Sequence, residues 1–365
     1  MSAIFCRLLY QSASPHLQQL YTGFCLLQRS GFLRLSQQLR RTPIDFRNDA
    51  PHLKDAGHAH LDALIGDALR LHFDTHDSHE LALGELDNCD FYFKRSYLAA
   101  AVNSLPPRLR GKVLPLGLNY RVLPDVTDSF AVRRGLSMTG LSHVTFSAFK
   151  QALDTGNRFG FQPRLAQMES PPDLRADPNV LFLVAAYDPY DDPARSQEKI
   201  DDRIFINETR ARCVRLLKDA LGPRFTGGFS PSRFTQEHYP DLVVPPGSTS
   251  QQNYLRTLKS FPICVASTGL HGSTGWKLAE YVAFSKAILS ERLVYDPPGA
   301  FEPPRNYIEF SSPEECLNGA VRLIEDTALR QQIMQNNAAY YRAYLRPDAL
   351  VRNALTTALE KVGQG

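Results

Sequence analysis

Short apolar runs alternate with stretches of helical periodicity along most of this chain. In the first half, Ala3–Tyr10, Cys89–Phe93 and Lys112–Leu116 have the character of strands, and a helical stretch at His16–Arg29 follows the first of them. Another apolar stretch, Leu61–Leu71, continues to Phe73. This alternation predicts βαβ units and parallel sheets, and therefore the α/β class.

A connector rich in proline, glutamine and charge, at about residues 160–178, divides the pattern into two. Beyond it, Val180–Ala186 is a nearly continuous apolar run, as expected of a strand buried on both faces. The 365 residues exceed the size of one typical domain. We expect an N-terminal domain at 1–170, a C-terminal domain at 171–345, and a last helix at 346–365 that packs back on the first domain.

Charge and cysteine usage limit the compartment and the partners. The formal net charge of +3 is small for this length and argues against a nucleic-acid partner. The six cysteines form no C-x2-C pair, as expected of a reducing compartment. Neither a secretory signal nor a long apolar span is recognisable, so a cytoplasmic location is expected. Peripheral membrane association stays open.

The most informative segment, Phe261–Leu289, has the pattern of a strand, a glycine-rich loop, a helix and a second strand. Glycines at 269, 272 and 275 allow the backbone to approach a ligand closely, because glycine has no Cβ and tolerates positive φ. The start of the following helix offers free N–H groups and a positive dipole end, which suit a diphosphate. Glu280 on that helix can accept hydrogen bonds from ribose hydroxyls, and Lys277 can offset phosphate charge.

The stretch Gly275–Leu289 resembles the donor-domain signature of GT-B glycosyltransferases, roughly G-x-x-x-x-E-A-x-A-x-G-x-P-V-I, as in the family 1 and family 4 type. The resemblance implies two Rossmann-like domains facing a cleft, with the nucleotide sugar on the C-terminal domain and the acceptor on the N-terminal one. It also implies that Glu280 binds the nucleotide ribose. The exostosin-like transferases are an alternative branch. The donor-binding residues expected from the segment and the resemblance are Gly269, His271, Gly272, Ser273, Thr274, Gly275, Lys277 and Glu280.

Two positions depart from the signature. Retaining members carry a further glutamate eight positions before Glu280, where this chain has Gly272, with His271 as the nearest polar side chain. Ser285, Lys286 and Ala287 replace the Gly-x-Pro of the pattern. Retention or inversion at the anomeric carbon therefore stays open. A βαβ unit with no ligand, whose glycines serve only tight turns, is the structural alternative.

Four basic residues are candidates for the donor diphosphate, whose charge must be stabilised. Arg203 and Arg210 lie seven residues apart on one face of a predicted helix, and Arg210 is preferred. Lys94 and Arg95 follow a predicted strand, at the edge where open α/β sheets bind ligands. The alternatives are solvated charges on a helix face and a surface turn.

An inverting transferase needs a general base for the acceptor hydroxyl, and Asp74, Asp77 and His76 follow another predicted strand. An Asx-type turn explains them equally well. Turn chemistry also accounts for Asp188, Asp191 and Asp192, so no metal is expected, and no cofactor beyond the donor substrate.

The leading hypothesis is metal-independent transfer of a hexosyl or other glycosyl group from a nucleotide-diphosphate sugar to a glycan or lipid-linked acceptor, as in polysaccharide biosynthesis. Two alternatives are a nucleotide-sugar epimerase-like enzyme and a non-catalytic glycan-binding or assembly protein of the same fold. Gly272 keeps the second of these open.

Overall fold

The computed structural model describes residues 3–11, 14–41, 59–66, 68–125 and 163–363. The chain forms two compact units. The first contains the described residues up to Gln167, the short stretch Tyr295–Ala300 and the residues from Arg342 onward. The second contains Met168–Val294 and Phe301–Tyr341. The return of Tyr295–Ala300 to the first unit is a feature that the predicted boundaries did not include.

The first part of the chain contributes six strands and four helices to the described structure. In chain order these are β1 (Ile4–Tyr10), α1 (Gln18–Arg29), β2 (Leu33–Leu39), β3 (His60–Ile65), β4 (Leu69–Asp74), α2 (Leu83–Asn88), β5 (Phe91–Lys94), α3 (Ala99–Asn103), α4 (Pro107–Arg110) and β6 (Val113–Pro115). A 3₁₀ turn, Pro15–Leu17, precedes α1.

These strands form one sheet in the order β2-β1-β3-β4-β5-β6. Five strands share one direction, and β3 runs against both of its neighbours. The apolar stretch Leu61–Leu71 is therefore an antiparallel hairpin in which Ile65 pairs with Leu69. A parallel crossover would need a dozen or more residues, which the short connection at Gly66 does not offer.

The second part of the chain contributes five strands and seven helices. They are β7 (Val180–Val184), α5 (Gln197–Leu221), β8 (Phe225–Phe229), α6 (Arg233–His238), α7 (Gln251–Ser260), β9 (Ile263–Ala266), α8 (Trp276–Ala283), β10 (Ala287–Glu291), β11 (Ile308–Phe310), α9 (Pro313–Glu325), α10 (Thr327–Tyr340) and α11 (Pro347–Gly363). A π-helical turn, Tyr341–Leu345, joins the last two helices.

The sheet of the second unit is parallel throughout, in the order β11-β10-β9-β7-β8. The chain runs from β7 outward to β8 and then returns to the other side of β7 as β9. The strand order thus reverses between β7 and β9. In open α/β sheets, ligands bind outside the carboxyl ends of the strands at such a reversal.

The C-terminal helix α11 packs within the first unit. Its buried residues Leu350, Val351 and Leu355 join the apolar core formed by α1 and one face of the sheet. Gly23 of α1 lies so close that a Cβ there would be 2.2 Å from the carbonyl oxygen of Pro347. The two helices therefore meet at backbone distance, which only glycine allows.

All six cysteines lie in the described part of the chain, and all are buried and free. Of the helices described, none is both long enough and apolar enough to cross a bilayer.

Candidate functional site

The strands β7 and β9 separate before they end, and this opens a crevice at the reversal point of the second sheet. They are paired only at Val180 with Ile263 and at Leu181 with Cys264. On the other side of β7, the carbonyl of Val184 accepts a hydrogen bond from the amide of Ser230, which follows β8. Since successive carbonyls along a strand alternate in direction, those of Leu183 and Ala185 face the side that β9 has left.

Two cations take the place of the missing strand neighbour. Lys277 of α8 donates a hydrogen bond to the carbonyl of Leu183. Arg210 of α5 donates to the carbonyl of Ala185 at 2.7 Å. The ladder that β9 no longer completes is thus satisfied by side chains, and both positive charges lie in the opening.

Arg210 also holds the opposite wall. Its guanidinium donates to the hydroxyl of Ser267 and to the carbonyl of Thr268, both at 2.9 Å, directly after β9. The ring of Tyr187 lies 5.0 Å from the same guanidinium. Three of the five N–H groups of Arg210 are therefore used by the described residues, and two more are available to a ligand.

Asn207, one turn before Arg210 on α5, fixes the loop after β7. Its side-chain oxygen accepts from the amide of Tyr187 at 2.9 Å, and its side-chain nitrogen donates to the carbonyl of the same residue at 2.7 Å. Both residues are almost completely buried. Spacing along α5 suggested a charged helix face, whereas the structure shows a polar anchor for two loops.

Lys277 is enclosed by groups that oppose one another electrostatically. Burial lowers its pKa, the carboxylate of Glu280 raises it, and Arg210 lowers it further, to about 8. Its ammonium lies 5.0 Å from the centre of the Tyr254 ring, a cation–π arrangement. A buried cation with a reduced pKa gains by accepting a negatively charged partner.

Glu280 lies on the wall of the crevice and is half-buried. One of its carboxylate oxygens accepts a hydrogen bond of 2.6 Å from the hydroxyl of Tyr254 on α7. Burial and the neighbouring carboxylate raise the pKa of Tyr254 well above its usual value, so this hydroxyl stays a donor. A carboxylate held in this way is fixed in direction and can accept further hydrogen bonds through its second oxygen.

The crevice has a volume of about 400 Å³ and is lined from four elements and their loops. Arg210, Lys277 and Glu280 supply the charges, while Tyr187, Tyr254 and Trp276 supply aromatic surface. Ligand pockets typically combine an apolar or aromatic lining with a few placed polar groups, at a volume of roughly 300–1,000 Å³.

The glycine-rich loop after β9 is closed by its own backbone. The amide of Gly269 donates to the carbonyl of Ser273 at 2.8 Å. A Cβ at 269 would lie 2.9 Å from the Ser273 hydroxyl and 3.1 Å from that of Tyr187. Outside the loop, Glu291 accepts from the amide and the hydroxyl of Thr268 at 2.6 and 2.9 Å.

The structure gives a physical reason for the glycine at 272. Gly272 has φ +64°, and a Cβ there would lie 2.7 Å from a methyl group of Val294. A glutamate at this position would need a strained backbone and a displaced neighbour. His271 also has a left-handed backbone, with φ 60°, and its side chain is exposed.

The other residues expected to bind the donor divide between the crevice and its surroundings. Gly275 lines the crevice. Ser273 and Thr274 are buried in the loop. Arg203 lies two turns from Arg210 on α5 and donates to the carbonyl of Lys199 at 2.8 Å. The structure therefore brings Arg210, Lys277 and Glu280 together and leaves Arg203 outside the crevice lining.

In the first unit, candidates that the sequence assigned to different roles pair with one another. Asp74 at the end of β4 accepts hydrogen bonds from the ammonium of Lys94 at 2.7 Å and from the hydroxyl of Tyr92 at 2.6 Å. Burial would raise the pKa of Asp74, but Lys94 and the nearby imidazoles hold it well below its usual range. Asp74 and Lys94 thus form a buried ion pair.

Asp77 forms an ion pair with Arg95 in the loops that follow β4 and β5. The side chain of Asp77 is 47% exposed, whereas that of Arg95 is 3% exposed. The amide of His76 donates to the Asp74 carboxylate at 2.8 Å, as in an Asx turn. Roles in catalysis and phosphate binding for these five residues stay predictions.

One group of metal-ligand types occurs among the described residues, namely Asp62, His72 and Glu85. Both carboxylates already accept hydrogen bonds from the guanidinium groups of Arg40 and Arg70. Asp62 also contacts Nδ1 of His72 at 2.6 Å. The oxygens that a cation would need are therefore directed at arginines.

The loop containing Asp188, Asp191 and Asp192 follows the turn chemistry expected for it. Asp188 accepts from the amide of Tyr190 and Asp192 from that of Ala194, each at 2.9 Å. Asp191 pairs with Arg195 at 2.5 Å.

Comparison with known proteins gives only distant similarity. No protein-family model and no curated protein matches the chain. Among solved structures, HepE from Anabaena with UDP and glucose is 11% identical, with 98% of each chain covered and a TM-score of 0.39. A sucrose-phosphate synthase from Thermosynechococcus elongatus is 11% identical over 94% of this chain and 92% of its own, with a TM-score of 0.37.

A UDP-GlcNAc 2-epimerase from Neisseria meningitidis, bound to UDP-GlcNAc, is also similar. It is 13% identical over 76% of this chain and 64% of its own, with a TM-score of 0.38. Similarity of this extent does not establish a family for the chain.

Proposed function

We propose that this chain is a glycosyltransferase that binds a nucleotide-diphosphate sugar in the crevice between β7 and β9. The observation that carries the proposal is the pair of cations, Lys277 and Arg210, fixed where the two strands separate. A diphosphate placed there meets two positive charges and unused N–H groups. The start of α8, with its positive dipole end, adds to the same potential.

Glu280 supports the ribose assignment. Its carboxylate is oriented by Tyr254 and lies on the crevice wall beside Lys277. Paired hydroxyl groups of a ribose are donors suited to a carboxylate, as in dinucleotide-binding folds. The proposed acceptor is a glycan or a lipid-linked glycan bound by the first unit, and the proposed transfer is hexosyl or a related glycosyl transfer without a metal.

Among the three candidates for the general base, Asp77 is favoured. Its side chain is about half exposed, whereas that of Asp74 is fully enclosed and held by Lys94. A base must reach the proton that it removes, so accessibility decides between the two carboxylates. Asp77→Asn is expected to abolish transfer while nucleotide binding is retained.

Calorimetry with UDP, GDP, ADP and TDP, first in EDTA and then with Mg²⁺, tests the proposal. We expect at least one nucleotide to bind in EDTA, and Glu280→Gln to weaken it by about tenfold, since hydrogen bonds to charged groups contribute roughly 1.5–3 kcal/mol. The matched control is Glu237→Gln, in which an exposed glutamate of α6 is changed. Failure of all four nucleotides to bind would remove the proposal.

Product analysis with the bound nucleotide's sugars separates the remaining alternatives. A transferase releases the nucleoside diphosphate only when an acceptor is present or water replaces it. An epimerase changes the sugar and leaves it attached to the nucleotide. A protein that binds the nucleotide sugar and leaves it unchanged with every acceptor offered would be a binding protein of the same fold.

A further inference from the structure

The first unit gathers basic side chains at one edge of its sheet. Strands β1, β4, β5 and β6 run in the same direction, so their carboxyl ends lie along a common edge. The loops that follow them carry His16, the pair His76 and Asp77, Arg95, and Arg121 respectively. Since open α/β sheets bind ligands outside this edge, the cluster lies where a ligand is expected.

Local hydrogen bonds hold the loops in place. The hydroxyl of Ser96 donates to the carbonyls of His76 and Asp77 at 2.9 and 2.8 Å, which ties the loop after β5 to the loop after β4. The side-chain amide of Asn119 donates to the carbonyl of His16 at 3.0 Å, which ties the segment after β6 to the loop after β1. The cluster is therefore built on a rigid frame.

The charges at this edge do not balance. Two guanidinium groups, Arg95 and Arg121, and two imidazoles share the edge with one carboxylate, that of Asp77. Burial lowers the pKa of His16, and Arg95, His76 and Arg121 lower it further against the opposing effect of Asp77. The electrostatic potential at His16 is therefore positive, and an anion brought there is attracted.

Two further features suit a polyhydroxylated ligand. The side chain of Asn119 is 4% exposed, and its oxygen accepts no hydrogen bond from the residues that the structure describes. A buried acceptor of this kind favours a donor such as a hydroxyl group. Tyr295, in the returning stretch, is buried close to Asp77 and Arg95 and adds aromatic surface to the same edge.

We propose that this edge of the first unit binds an anionic group on the acceptor, a carboxylate or a phosphate, through Arg121 and Arg95. The inference rests on the proposed function, because it assigns the acceptor to the first unit while the donor occupies the second. It narrows the acceptor class to an acidic sugar or a sugar phosphate. Arg121 is the main ligand, since Arg95 is already paired with Asp77.

Saturation-transfer NMR on the full chain, with UDP present, tests the inference with three probes. Methyl glucuronide and glucose 6-phosphate carry the two anions, and methyl glucoside is the neutral counterpart. We expect the better anionic probe to bind at least about tenfold more tightly than the glucoside, as charge-assisted hydrogen bonds require. The difference should shrink at about 0.5 M NaCl, because salt screens the attraction.

Variants assign the effect to this edge. Arg121→Gln should remove the preference for the anion, and Arg121→Lys should restore part of it. The control is Arg108→Gln, which changes an arginine of the same unit whose side chain is 73% exposed. A tighter glucuronide indicates an acidic sugar, and a tighter phosphate ester indicates a sugar phosphate.

Equal binding of neutral and anionic probes, or a preference that persists in Arg121→Gln, would overturn the inference. Calorimetry with UDP, GDP, ADP and TDP on the same samples distinguishes its failure from that of the proposed function. If a nucleotide binds and no anion preference appears, only the acceptor assignment fails. If none of these nucleotides binds, the transferase proposal fails first.

Discussion

Lys277 donates a hydrogen bond to the carbonyl of Leu183, at the point where β7 has lost β9 as its neighbour. A backbone carbonyl inside a parallel sheet normally pairs with the adjacent strand. Here a charged side chain from α8 replaces that strand, and Arg210 does the same at Ala185. The opening of the sheet and the positive charge in it are therefore one structural feature.

The first prediction concerns Lys277 and pH. Its pKa is about 8 in the folded chain, below the ordinary 10.5. Between these values the unfolded chain binds the extra proton, so the unfolding free energy rises with pH, by up to about 1.4 kcal/mol per unit and roughly 3 kcal/mol in all. Lys277→Met lacks this rise.

Urea unfolding of the wild type and of Lys277→Met, between about pH 7 and pH 10, measures the effect. The stability of the wild type relative to the variant should increase steadily with pH. Lys218→Met, which changes an exposed lysine of α5, is the control. A difference between wild type and Lys277→Met that stays constant across the range contradicts the prediction.

The second prediction concerns Arg210, which joins the ends of β7 and β9. Glutamine is too short to reach both, so Arg210→Gln should leave buried carbonyls unpaired and cost about 2–4 kcal/mol of unfolding free energy. Nucleotide binding should be lost as well. Denaturant unfolding and calorimetry measure the two effects.

Arg212 on the same helix provides the comparison. Its side chain is 64% exposed and pairs with Glu314, which is 51% exposed. A surface pair of this kind contributes less than about 1 kcal/mol, so Arg212→Gln should leave both stability and binding nearly unchanged. Equal losses in the two variants would show that Arg210 has no special role.

Local periodicity was sufficient for the elements whose character is set by their own residues. Strand β9 has the predicted bounds, Ile263–Ala266, because a buried apolar run between a proline and a glycine-rich loop is distinctive. Strand β2, Leu33–Leu39, was missed because its LRLSQQL sequence has little apolar character. Sheet pairing, rather than composition, makes this segment a strand.

Contacts between separate elements were beyond the sequence. Tyr254 lies on α7, 26 residues before Glu280, and nothing local marks it as the donor that orients that carboxylate. Asp77 and Arg95 were assigned to different roles, and their pairing depends on β4 and β5 being neighbours in the sheet. The segment of the site could be predicted, whereas its electrostatics required the fold.

The third prediction separates two costs at Gly272. This residue has φ +64° and a potential Cβ collision with Val294, whereas Gly247 has φ +83° and no atom within 4 Å of the Cβ position. Gly247→Ala should cost about 1 kcal/mol, the backbone term alone, and Gly272→Ala about 2–3 kcal/mol. Thermal unfolding compares them.

The collision term has its own control. Val294→Ala, introduced together with Gly272→Ala, removes the methyl groups that the new Cβ would meet, so the double variant should approach the cost of Gly247→Ala. Additive losses in the double variant would show that the strain at 272 arises from the backbone alone.

The last prediction concerns the buried pair of Asp74 and Lys94 in the first unit, whose side chains are 0% and 1% exposed. Removing one partner leaves the other charge buried and uncompensated, so Lys94→Met should cost about 3–5 kcal/mol of unfolding free energy. Asp74→Asn combined with Lys94→Met removes both charges and should recover most of that loss. The pKa of Asp74 is held below its ordinary value, so the stability that the pair contributes is present above that value and lost as the pH falls through the folded pKa. Double-mutant cycles in urea measure the coupling, and a double variant no more stable than Lys94→Met would show that the two charges do not compensate each other.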